Sequence, residues 1–173
     1  MSTRKANFVT LDDLIEELGT DVVRYFFVMR SMNTHLDFNL DLASEQSEKN
    51  PVYYIQYAYA RISNIIRRYD ESLSDDNCEY DSSLIICEEE IDMLKHLVHF
   101  PVIVDNSYKN LEPQFIANYL QELASHFHKF YNKCRVITDD PYLTKARINL
   151  IKSVKIIIKN GLEILGITAP ERM

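Results

Sequence analysis

The stretch NPVYYIQYAYAR, Asn50 to Arg61, decides how this chain is read. Pro51 suits the first turn of a helix, where its missing N–H has no partner to lose. Four tyrosines, Tyr53, Tyr54, Tyr57 and Tyr59, then fall in seven residues. At 3.6 residues per turn, Tyr53, Tyr57 and Arg61 share one stripe, and Tyr54, Ala58 and Arg61 follow a neighbouring ridge. A purely apolar core would not need so many phenols. Such rings suit splayed nucleic-acid bases, each of which offers a π-face, and an arginine beside them stacks or holds a phosphate. The plainer alternative is a helix with half-buried tyrosines whose hydroxyls reach water.

Outward from this stretch the composition points the same way. The chain has 173 residues, 46% of them hydrophobic, with only three glycines and five prolines. That is enough apolar material for one to two folded domains, and too little punctuation for a sandwich or barrel. The fold class expected is all-α.

Thr10 is placed to cap a helix over Leu11 to Leu18, with Asp13 at capping-box spacing and Gly19 at its end. A second helix, about Asp21 to Ser31, is so continuously apolar that it is expected to be buried on most sides. Asn33 to Leu42 crosses the surface before a short helix near Ala43 to Ser47. The tyrosine helix runs from Pro51 to about Tyr69, and Ser72 to Ser83 reads as a mobile loop. A long helix from Glu88 to Asn110 is expected to bend at Pro101. Pro113 opens another to about Val136, the Asp139–Pro141 segment breaks it, and Leu143 to Leu165 forms the last.

A net charge of −7 excludes a general electrostatic grip on nucleic acid, so RNA contact must be local, and DNA is not an expected partner. Charge is uneven. Glu71 to Glu90 is acidic, whereas Lys129 to Lys159 is basic and is the candidate RNA-facing side, with a solvated helix face as the simpler explanation. Cys78, Cys87 and Cys134 are odd in number and unpatterned, which fits a reducing, cytoplasmic setting and indicates neither a disulfide framework nor a zinc site. His96, His99, His126 and His128 lack a completing ligand pattern, so no metal is expected. No apolar run is long enough for a bilayer, and no membrane partner is expected.

Five segments, MSTRKANFVTLDDLI, DVVRYFFVMRSMNTHLDFNLDLA, NPVYYIQYAYAR, FHKFYNKCRV and GITAPERM, together resemble the C-terminal part of an arginyl-tRNA synthetase, a class I aminoacyl-tRNA synthetase. The resemblance covers essentially the whole chain. MSTRK resembles the end of the Lys-Met-Ser-Lys-Ser signature loop, whose cations stabilise the pyrophosphate of ATP. Thr3 stands where the second lysine would be, and Arg4 and Lys5 are the catalytic candidates left to supply that charge. The nucleotide-binding fold of the class is not in this sequence, so the resemblance implies a catalytic domain upstream and no activity for this piece alone. ATP and magnesium would serve the full-length enzyme, with no cofactor in this fragment.

The resemblance further implies that residues 1–48 hold the end of the signature loop and a helical connector lying along the tRNA. Residues 49–173 would be an all-helical anticodon-binding domain for arginine tRNA. The matching anticodon-loop positions are Tyr57, Arg61, Tyr131 and the terminal Met173, whose thioether would pack on a base. Gln56 is a supporting amide, and Arg135, one turn beyond Tyr131, a further candidate. Tyr59 stands where the family commonly has histidine. The rival reading is a stand-alone helical module that binds RNA or protein without aminoacylation.

Overall fold

The computed structural model describes residues 9–72 and 81–173. Among the described residues there are eight α-helices, one 3-10 turn and no strand, as the all-α expectation required. The helices are α1 (Leu11–Leu18), α2 (Thr20–Val28), α3 (Leu40–Ser44), α4 (Pro51–Ser72), α5 (Glu88–Val98), α6 (Phe100–Asn110), α7 (Gln114–Lys133) and α8 (Pro141–Ile164). The 3-10 turn spans Ser82–Leu84 between α4 and α5.

Three long helices form the centre. Ile55, Ala58 and Ile62 of α4, Leu120, Leu123 and Phe127 of α7, and Ile151, Val154 and Ile158 of α8 are fully buried. Their spacings of three, four and seven residues put one stripe of each helix into a common core. Each large side chain buried this way contributes about 1.5–3 kcal/mol. The helices α5 and α6 pack on α7, α5 touching α8 as well, and Met93 and Leu97 of α5 join the same core. At Gly161 the helices α7 and α8 come so close that an added Cβ would sit 2.7 Å from Leu120 Cδ2.

The N-terminal cap forms as expected: Asp13 N donates to Thr10 Oγ1 at 3.2 Å, and Thr10 N donates to Asp13 Oδ2 at 2.9 Å. Other boundaries moved for identifiable reasons. The helix α2 is buried on one side only. Tyr25 and Phe26 face the core, with the Tyr25 hydroxyl donating to Ala117 O at 3.2 Å, whereas Phe27 is 47% exposed. The short helix α3 begins three residues before the expected Ala43 because Asn39 Oδ1 accepts from Leu42 N at 2.9 Å and caps it.

The expected bent helix from Glu88 to Asn110 is two helices. His99 separates them, its N–H turning back to His96 O at 3.1 Å, and Pro101 sits in the first turn of α6, where it costs no hydrogen bond. The helix α7 stops at Lys133, with Cys134 already extended. Asp139–Pro141 does more than break a helix. Asp140 Oδ1 accepts from Tyr142 N at 2.9 Å and Leu143 N at 3.3 Å, and Pro141 opens α8. Of the expected loop Ser72 to Ser83, residues 73–80 lie outside the described residues, and Ser82 and Ser83 belong to the 3-10 turn.

Candidate nucleic-acid interface

The helix α4 carries Tyr57, Arg61, Asn64 and Arg68 at intervals of four, three and four, so they form one continuous stripe. The last turn of α7 brings Tyr131 across to it. Arg61 Nη2 donates to the Tyr57 hydroxyl at 2.6 Å. Its guanidinium carbon lies 4.8 Å from the Tyr57 ring centroid and 4.6 Å from that of Tyr131. Two ring faces and a hydrogen bond therefore hold one cation in place.

Behind Tyr57 a second layer supports the ring. His128 of α7 stacks on Tyr57 with centroids 6.0 Å apart and packs on Tyr54 at 4.6 Å and Phe127 at 5.5 Å. Burial, reinforced by the positive charge of Arg61, pushes the His128 pKa below its ordinary value. A neutral imidazole is the form that packs there.

In front of the stripe is a cleft of about 440 Å³, whose walls include Tyr57, Arg61, Asn64, Tyr131 and Met173. Arg61, Arg67, Arg68 and Arg172 line it, against one acidic residue, Glu171. A second cleft of about 610 Å³ adjoins it through Ile65, Arg68 and Tyr131. The volumes fall within the range of specific ligand sites. A local cationic concavity in a chain of net charge −7 is how an acidic protein binds a polyanion at one place only.

The C-terminal segment is docked. Ile167 is buried in the core. Thr168 N and Oγ1 both donate to the carboxylate of Asp21, the backbone bond to Oδ1 measuring 3.2 Å. Gln56 Nε2 donates to Asp21 Oδ2 at 2.9 Å and Thr168 O at 3.0 Å. Lys155 Nζ reaches Glu171 Oε1 at 2.9 Å, and this partner holds the Glu171 carboxyl below its usual pKa. These contacts carry the chain to Met173, which is half exposed at the cleft wall.

The structure thus brings Tyr57, Arg61, Tyr131 and Met173 around one cleft. Gln56 is not in its wall; it is buried and anchors the tail to α2 and α4. Arg135 is exposed in the adjoining cleft, on extended chain after α7 and not on a further helical turn, because α7 has already ended. Arg4 and Lys5 lie outside the described residues. Tyr59 is buried beneath Lys155, whose Nζ is 5.2 Å from its ring, away from the cleft.

The basic block from Lys129 to Lys159 is not a single free face. Arg147 is buried against Glu90, Lys133 pairs with Glu89, and Lys155 and Lys159 pair with Glu171 and Glu163. The sequence reading missed Asn64, Arg67 and Arg68, which continuing the three-four spacing beyond Arg61 would have found. Glu171 left no such signal, since it lies in the C-terminal segment and its partner Lys155 is 16 residues back on α8. No helix among the described residues is long and apolar enough to cross a membrane.

Residues 55–173 match the model of the DALR anticodon binding domain. The whole chain is 47% identical to the arginine–tRNA ligase of Salinibacter ruber, covering 100% of this chain and 31% of the relative. It is also 47% identical to that of Carboxydothermus hydrogenoformans, with the same 100% and 31% coverage. Thermus thermophilus arginyl-tRNA synthetase superposes with a TM-score of 0.78 over 99% of this chain and 29% of that one; at 24% identity this likeness shows the fold alone. The chain spans 31% of the length of these curated relatives. With the family model spanning well over half its length and the ligases matching it from end to end, the chain belongs to the DALR anticodon binding domain family, in the form found in the C-terminal region of arginine–tRNA ligases.

Proposed function

We propose that the cleft between α4, α7 and the C-terminal segment receives the anticodon loop of arginine tRNA. The observation that carries this reading is Arg61 held between the Tyr57 and Tyr131 rings. A cation already fixed by two aromatic faces loses little freedom when a base or phosphate arrives. The tyrosines offer surfaces on which unstacked bases pack, and Arg68 and Arg172 offer charge to the backbone around them. Met173 supplies an adaptable apolar contact at the rim.

On this reading residues 49–173 are the anticodon-binding domain, and residues 1–48, with α1 and α2, are the connector along the tRNA stem. The whole protein then joins arginine to its tRNA in the cytoplasm, using ATP and magnesium in a catalytic fold. Arg4 and Lys5 supply charge at the pyrophosphate. Support comes from the full-length match to about a third of each ligase and from the family model over residues 55–173.

Titration of the chain with an arginine-tRNA anticodon stem-loop tests the proposal. Tyr57→Ala should weaken binding by about 1–3 kcal/mol, the usual cost of losing one stacked base, with helix content by circular dichroism unchanged. Unchanged affinity in a folded Tyr57→Ala variant would overturn the assignment.

A further inference from the structure

Cys87 and Cys134 are far apart in sequence, yet the fold brings them together. Cys87 precedes α5 and Cys134 follows α7, and their sulfurs lie within 4.8 Å of each other. Cys87 is half-buried and Cys134 is buried, and Cys134 is part of the wall of the 610 Å³ cleft. Both have extended backbone, with φ −67° and ψ 146° at Cys87 and φ −115° and ψ 128° at Cys134. Outside the helices their χ1 angles are free of the clash that restricts rotamers within a helical turn. Forming the bond requires the sulfurs to close from within 4.8 Å to about 2.05 Å.

The same corner offers a third metal-ligating side chain in Glu90, but its carboxylate is already committed. Oε1 accepts from Arg147 Nε at 2.6 Å, and Oε2 accepts from Cys87 N at 2.9 Å and Ile86 N at 3.1 Å. A guanidinium in the site also disfavours a dication. Arg147 Nη2 is 3.9 Å from Cys87 Sγ.

We propose that Cys87 and Cys134 form a reversible disulfide under peroxide, a redox modification site beside the second cleft. Cys87 attacks first. Its thiolate forms a bond to one oxygen of hydrogen peroxide as the O–O bond breaks and hydroxide leaves, giving a sulfenic acid. The Cys134 sulfur then attacks the Cys87 sulfur, the S–O bond breaks, and the oxygen departs with two protons as water. Two thiols and one peroxide become one disulfide and two waters. Burial, with the neighbouring Cys87 sulfur, pushes the Cys134 thiol up to about 11, which suits it to the second role and not the first. A thiol reductant reverses the bond.

The test uses the whole chain and a Cys78→Ser version, treated with hydrogen peroxide under native conditions, alkylated, digested without reduction and analysed by mass spectrometry. The expected product is a peptide linking Cys87 to Cys134, lighter by two hydrogens and lost on reduction. In Cys134→Ser, the Cys87 sulfenic acid should persist and be trapped by dimedone; in Cys87→Ser, Cys134 should resist oxidation. Circular dichroism confirms that each variant is folded. The proposal is overturned if the link forms only in denaturant, if Cys87 pairs with Cys78 instead, or if both thiols remain fully alkylatable after peroxide.

Discussion

Arg61 on α4 places its guanidinium carbon 4.6 Å from the centroid of the Tyr131 ring on α7. The contact ties two helices together at the edge of the cleft and leaves Tyr131 37% exposed. Tyr131→Ala should lower folding stability by about 0.5–1 kcal/mol, the range for a cation–π pair at an open site. It should lower stem-loop affinity by more, about 1–3 kcal/mol. Tyr131→Phe keeps the ring and should keep most of both. Urea denaturation and stem-loop titration on the two variants measure the difference, and equal behaviour of Ala and wild type would remove Tyr131 from the site.

The Lys155–Glu171 pair serves the tail. The Glu171 side of the pair is substantially solvated, so Lys155→Ala or Glu171→Gln should cost little stability. Each should nonetheless weaken RNA binding by releasing Met173, and the double variant should be no weaker than the worse single one, because both remove one interaction. Additive losses would show that Lys155 or Glu171 meets the RNA separately.

Glu90 behaves differently, because it is fully buried and receives Arg147 Nε and two backbone N–H groups. Glu90→Gln leaves Arg147 without its counter-charge and should cost about 3–5 kcal/mol. Lys133→Ala, which removes the exposed partner of Glu89, should cost far less, because water screens that pair. Urea midpoints for both variants check the contrast.

Stability should also depend on pH between neutrality and the carboxylate range. Burial pushes both His96 and His128 below the ordinary value of 6.5. Above 6.5 neither the folded nor the unfolded form is protonated. As pH falls below 6.5 the unfolded chain takes up protons that the folded chain resists, so stability declines until the folded values are passed. The lowered carboxyls of Glu89 and Glu171 start from 4.5 and withdraw their contribution only at lower pH. Urea unfolding from pH 7 to pH 5 should show this loss, and a His96→Asn/His128→Gln variant should show a shallower one. A rise in stability across that window would contradict the burial of these rings.

Patterns local to one helix were legible in the sequence. Thr10 with Asp13, Pro51, and the Tyr57–Arg61 stripe are set by spacing along a single element, and the structure has them where spacing puts them. Contacts between elements were not. Gln56 reads from sequence as a supporting amide because it can both donate and accept, but the groups it meets, Asp21 and Thr168, lie on other elements and leave no mark on its own helix. The apolar run of α2 reads as buried on most sides, since composition does not reveal that Phe27 is left 47% exposed. The basic block left an RNA-facing side and a solvated helix face both open, because the acids that pair with it, Glu89, Glu90 and Glu171, lie outside it in sequence.

The central claim is that Arg61 meets bases and not merely phosphate or its own tyrosines. It is tested by titrating wild type and Arg61→Ala with two stem-loops, one carrying an arginine anticodon and one with its middle cytosine replaced, at several salt concentrations. Wild type should prefer the arginine loop, and Arg61→Ala should lose most of this preference, binding the replaced loop nearly as well as wild type does. A phosphate contact would instead weaken both loops alike and reduce the salt slope by about one unit. Equal weakening of both loops by Arg61→Ala would contradict the account.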